Sequence, residues 1–146
     1  MTLKPDDSAI IDGMQSLSLK IFGEPASKAN SRRLVRFGNM SRLIKSDKAL
    51  NYSDAFKQQV AKMRLPLPLE GDVRIYLTIY YASRRPDLDE SLILDLLQGV
   101  AYLNDRQVKE KHVYWRLAPD EPRAEIFAEV IPDVDSKKKP QKKART

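Results

Sequence analysis

The stretch that most limits the possible folds is Asp72 to Ala82 (DVRIYLTIYYA). Val73, Ile75, Leu77, Ile79 and Tyr81 fall on one face, and Arg74, Tyr76, Thr78 and Tyr80 on the other. A period of two in β-branched and aromatic side chains makes a strand with one buried face. Any fold containing it needs other elements to cover that face. Residues 17 to 22 read as a short strand, and residues 23 to 30 (GEPASKAN) as a turn opening into a basic loop with Arg32, Arg33 and Arg36. A helix is expected from Ser46 or Asp47, either of which can cap it, to about Arg64. Its apolar residues Ala49, Tyr52, Phe56, Val60 and Met63 recur at three or four positions. Pro66 and Pro68 end it.

A second helix is expected from about Leu88 to Gln98, with Leu88, Leu92, Leu96 and Val100 four apart and Gly99 as its C-terminal cap. Residues 108 to 117 and 124 to 131 read as a hairpin joined through residues 118 to 122. At 146 residues the chain supports one core. The order of elements predicts a single α/β or α+β domain at residues 16–132, with a mixed sheet and two main helices. Residues 1–15 are expected as a loose leader and 133–146 as a disordered basic tail.

Charge says something about partners. Lys and Arg number 26 against 20 Asp and Glu, a formal +6 that favours polyanions. Six of those basic residues lie in 136–146 (SKKKPQKKART), so the body is formally neutral. Within it, residues 20 to 64 hold eleven Lys and Arg against three acids. The absence of cysteine excludes disulfides, thiolate metal sites and a cysteine nucleophile. No apolar run approaches the roughly 20 residues of a membrane span. The expectation is a soluble, cytoplasmic protein that binds neither membrane nor small-molecule cofactor.

The chemistry concentrates between Arg84 and Val108 (RRPDLDESLILDLLQGVAYLNDRQV), which holds Asp87, Asp89, Glu90, Asp95 and Asp105. Carboxylate oxygens suit hard divalent cations, and Mg²⁺ takes one or two of them with water and phosphate oxygens. The bland account is that acids in a first helical turn are favoured by the helix dipole alone. Asp87 is then an N-cap, Glu90 a good first-turn residue, and Asp105 half of an Asn-Asp turn. Asp95 reads as a supporting or solvated residue, His112 as structural, and Tyr114 and Trp115 as core or dimer-surface aromatics.

A strand followed by Pro-Asp-x-Asp, then Leu-Asp-x-Leu-x-Gly-Val, then Tyr-Leu-Asn-Asp-Arg-Gln-Val leading into a strand resembles the RusA family of Holliday junction resolvases. The earlier Gly-Glu-Pro-Ala-Ser-Lys-Ala-Asn at 23 to 30 resembles that family's early loop. The resemblance implies that Asp87, Asp89 and Asp105 are catalytic and hold Mg²⁺ or Mn²⁺. It also implies a homodimer that cuts four-way DNA junctions in recombination, repair or phage DNA processing. Ser27, Lys28, Asn30, Arg32, Arg33, Arg36, Arg85 and Arg106 are the candidate DNA contacts, and the tail is a nonspecific arm. The sequence departs from the family in two places. Glu90 stands where Asn is common, and Ile93 where Lys is common. Loss of that lysine keeps open a non-catalytic junction binder as the alternative; an adaptor binding nucleic acid only through its tail is the third reading.

Overall fold

The computed structural model describes residues 15–27 and 32–133. The expected leader except Gln15, nearly all of the basic tail, and Lys28 and Asn30 lie outside the described residues. The elements in chain order are β1 (Ser16–Phe22), β2 (Arg32–Phe37), β3 (Met40–Lys45), α1 (Asp47–Ala61), β4 (Val73–Tyr81), α2 (Ser91–Leu96), a 3₁₀ turn (Asp105–Gln107), β5 (Val108–Leu117) and β6 (Arg123–Val130).

A four-stranded mixed sheet in the order β1-β6-β4-β5 forms the centre. The strand β4 runs parallel to β5 and antiparallel to β6, and β1 closes the other edge antiparallel to β6. All five residues expected on the apolar face of β4 are buried. Register extends that face into rows: Leu19, Ile126, Leu77 and Val113 form one, and Ile21, Ala124, Ile79 and Trp115 the next. Ala49, Tyr52 and Phe56 of α1 and Leu92 and Ile93 of α2 join these rows in one core cluster. The opposite face carries polar ladders, in which Arg74 reaches both Glu110 at 3.0 Å and Glu129 at 2.9 Å.

The first helix begins as expected, with the Ser46 hydroxyl accepting from the Ala49 N–H at 3.2 Å. It also secures an edge. The Gln59 amide exchanges two hydrogen bonds with the backbone of Phe22, at 2.8 and 3.0 Å, and so extends the hold on the edge strand β1.

Four expectations are corrected. Arg32, Arg33 and Arg36 lie on a strand, not a loop, because β2 and β3 pair as a hairpin across Gly38 and Asn39. Gly38 has φ +59°, the left-handed conformation that a two-residue hairpin turn requires at its first position. The second helix starts at Ser91 rather than Leu88, and Leu88 is 38% exposed rather than core. Its C-cap is Leu97, while Gly99 turns the chain two residues later at φ +84°. Finally, β5 and β6 do not form a hairpin: they flank β4 on opposite sides. Two strand spacings are about 10 Å, a gap that residues 118–122 span easily. The fold is thus a mixed-sheet α/β domain with helices on one face.

Candidate active site

The acids stand on a loop that two aromatic residues hold in place. Proline at 86 disfavours helical conformation before it, and the chain leaves β4 through bends into an irregular loop that carries Asp87 and Asp89. The buried Tyr81 hydroxyl donates to the Asp87 carbonyl at 3.2 Å and accepts from the Asp89 N–H at 3.3 Å. Trp115 stacks on Tyr81 with ring centroids 5.6 Å apart, and its indole N–H donates to the Pro86 carbonyl at 2.9 Å. Burial first, and the nearby Asp89, Glu24 and Glu90 charges after it, push the Tyr81 hydroxyl above its ordinary pKa of 10.0; the hydrogen bond with Asp89 partly opposes them. It therefore stays a neutral donor at working pH.

The expected N-cap at Asp87 is not found. The residue preceding α2 is Glu90, which makes no capping bond with its side chain. Asp87 is exposed on the loop, and the Asp89 carboxylate accepts from the Ser91 N–H at 2.9 Å. That contact orients one oxygen of Asp89 by an Asx turn.

Asp105 opens the 3₁₀ turn on the far side of α2. The Asn104 side chain accepts from the Arg106 N–H at 2.8 Å, and the Gln107 amide oxygen accepts from Leu103 and Asn104. The same Gln107 amide donates to the Leu69 and Gly71 carbonyls, both at 2.9 Å. The Asp105 turn is thereby fastened to the segment ahead of β4. The return of the chain along α2 is also visible: the Tyr102 hydroxyl donates to the Leu94 carbonyl at 2.7 Å. Asp105 shares a cleft of about 400 Å³ with Glu90, Ser91 and Asp95. Asp87 and Asp89 stand beyond its rim, on the loop that leads into Glu90.

Asp95, read from sequence as supporting, is therefore in the same cleft as Asp105. Among the described residues no three His, Asp or Glu side chains converge on one point. The donor chemistry still fits a hard divalent ion, because exposed carboxylates on fastened backbone are what Mg²⁺ takes, one or two at a time, with water and phosphate completing its shell.

A second cleft, of about 340 Å³, brings together Ser27 and Arg85, two of the expected DNA contacts, with Glu24, Lys48 and Ser83. Glu24 closes it by accepting from the Ala82 N–H at 2.9 Å and pairing with Lys48 at 3.5 Å. Arg36 and Arg106 are exposed. For Arg32 and Arg33 the strand position alone is described, and Lys28 and Asn30 lie outside the described residues. Sequence reading missed Tyr81, Trp115, Lys48 and Gln107 as builders of the site. Only the last had a local signal, the Asn-x-x-Gln spacing of a capping box at 104 to 107.

Two fastened acidic segments, one leaving the end of β4 and the other tied to the chain ahead of its start, together with a cleft holding Lys48 and Arg85, carry the chemistry that a phosphodiester-cleaving class of protein needs. The chain belongs to the RusA family: the family described as Endodeoxyribonuclease RusA matches residues 23–129, which begins just after β1 and takes in both acidic segments and most of β6. Its activity class is endodeoxyribonuclease and its partner is DNA, since the family acts on branched DNA junctions. Comparison with curated proteins gives no match.

Proposed function

We propose that this protein is a metal-dependent, structure-selective endodeoxyribonuclease that resolves four-way DNA junctions by paired symmetric nicks, as a homodimer, in recombination, repair or phage DNA processing. The observation that carries the reading is the family match over both acidic segments, each held by buried or reciprocal hydrogen bonds. Asp87, Asp89 and Asp105 would hold Mg²⁺ or Mn²⁺, with Glu90 and Asp95 near enough in the chain and the cleft to assist. Such an ion supplies charge neutralisation at the phosphate and a more acidic bound water.

The protein's own residues do the rest. Tyr81 and Trp115 hold the backbone of the acid loop so that its carboxylates need not reorganise when DNA arrives. Ser27, Lys48 and Arg85 grip phosphates on one side of the acids, and Arg106 on the other. The hairpin carrying Arg32, Arg33 and Arg36 reaches along an arm of the junction, and the tail adds affinity without sequence preference. Two sites related by a two-fold axis match two strands related by the junction's own symmetry.

One observation favours a second reading. Ile93, where the family commonly has lysine, is wholly buried, so the fold is complete without that cation and a non-catalytic junction binder is the rival. Incubating the protein with a synthetic four-way junction and a linear duplex, with Mg²⁺ or with EDTA, separates the two. Symmetric paired nicks on the junction alone, abolished by EDTA, are expected. Tight junction binding without nicks at any Mg²⁺ or Mn²⁺ concentration identifies the binder.

A further inference from the structure

Lys111 is placed unusually for a lysine. Register pairs it with Ile75, so it projects from the sheet face that carries the core, in line with Val113 and Trp115 on the same strand. A lysine on such a face keeps its stem against apolar neighbours and sends its charge to the nearest opening. Here that opening is the Asp105 cleft, which Lys109 and Lys111 line from β5. The Lys111 ammonium lies 2.6 Å from a carboxylate oxygen of Glu90. No basic residue occurs in α2, and Ile93 spends its side chain on the core. Among the described residues the cleft's carboxylates are Glu90 and Asp95 on the α2 side and Asp105 and Glu110 at the start of β5. A phosphodiester brought to these carboxylates is repelled unless a cation meets it.

We infer that Lys111 is a catalytic residue of the cleft: its ammonium, held by Glu90 in the free protein, contacts a non-bridging oxygen of the scissile phosphate when DNA is bound. This rests on the nuclease reading above. In the hydrolysis a water oxygen bonds to phosphorus and the bond from phosphorus to one sugar oxygen breaks. That sugar oxygen takes a proton that the water gives up through solvent. Lys111 keeps its own protons throughout and neutralises charge on the equatorial oxygens. Lys109, set at the register irregularity where β5 begins, has no such partner holding it over the acids and is assigned no part in the step.

The chain has no cysteine, so Lys111→Cys introduces a single thiol. Alkylation with 2-bromoethylamine then rebuilds a side chain of lysine length ending in an ammonium, and iodoacetamide gives a neutral control. Junction cleavage in saturating Mg²⁺ and junction affinity in Ca²⁺ are measured for each form. Lys111→Cys is expected to cut about a hundredfold more slowly, the loss typical of one transition-state donor, with affinity within about threefold of the unsubstituted protein. Aminoethylation returns most of the rate and iodoacetamide does not. Lys111→Met, which keeps the apolar stem, loses the same rate and guards against a folding defect in the cysteine form. An active unsubstituted protein whose Lys111→Cys and Lys111→Met forms cut normally overturns the inference alone, as does equal rescue by iodoacetamide. An unsubstituted protein that does not cut at all overturns the nuclease reading, and this inference falls with it.

Discussion

Tyr81 and Trp115 place the acids, and neither carries any of the charge. Tyr81 was legible as a core residue from the alternation of β4, and it is buried as expected. Its hydroxyl could not be assigned a partner from sequence, because the groups it bonds lie six and eight residues on, in a loop whose course depends on Pro86. The sequence marks Trp115 as a core or dimer-surface aromatic; its position opposite Ile79 puts it beside Tyr81 and under the acid loop. Trp115→Phe keeps the ring stack and removes the N–H that reaches the Pro86 carbonyl. We expect a loss of about 1 to 2 kcal/mol in urea unfolding and a larger fall in junction cleavage than in junction binding. Stability and cleavage both unchanged would show that the clamp has no part in positioning Asp87 and Asp89.

At the scale of elements, strong periodicity was read correctly and local competition was not. The strand β4 buries all five residues its spacing predicts, and the 15-residue helix α1 buries Ala49, Tyr52 and Phe56, with Val60 and, past the helix end, Met63 partly buried against the same core. The helix α2 is shorter than its leucine spacing suggested, because the Tyr81 hydroxyl and Pro86 hold residues 87 to 89 out of the first turn. Leucines four apart cannot report a competing hydrogen bond from another strand. The β2–β3 hairpin was missed although Gly38-Asn39 is a turn signal, since arginines at three of five positions in 32 to 36 masked the alternation. It forms a sheet of its own, apart from the central one. Gly38→Val forces a branched side chain into φ +59° with open space around it, so the cost is conformational and local, about 1 to 2 kcal/mol. The expected result is an unchanged thermal midpoint for the main transition with junction affinity several-fold weaker. Unaltered affinity would remove the hairpin from the DNA contact.

For the whole molecule, the sheet order was the least legible feature, because sequence neighbours β5 and β6 sit on opposite sides of β4. The core shared by both helices and the sheet has a consequence for alkaline stability. Tyr52, Tyr81 and Tyr102 all have hydroxyls pushed above the ordinary 10.0, burial being the first cause in each. Above about pH 10 the unfolded chain gives up these protons and the folded one retains them. Their stabilisation is therefore full below that pH and is lost as pH rises through the folded values. Melting temperature should fall between about pH 9 and pH 11, with part of the phenolate absorbance appearing only on unfolding. A midpoint that is flat across that range would contradict the burial of these hydroxyls.

The central claim is that acids from two separate segments serve one site. Single-turnover cleavage of a four-way junction in Mg²⁺ by Asp89→Asn, Asp105→Asn and the double variant tests it most directly. Groups that act as a unit are non-additive, so each single variant should lose about a thousandfold or more and the double should be no slower than the slower single. Cleavage by either single variant near the unsubstituted rate would contradict the account.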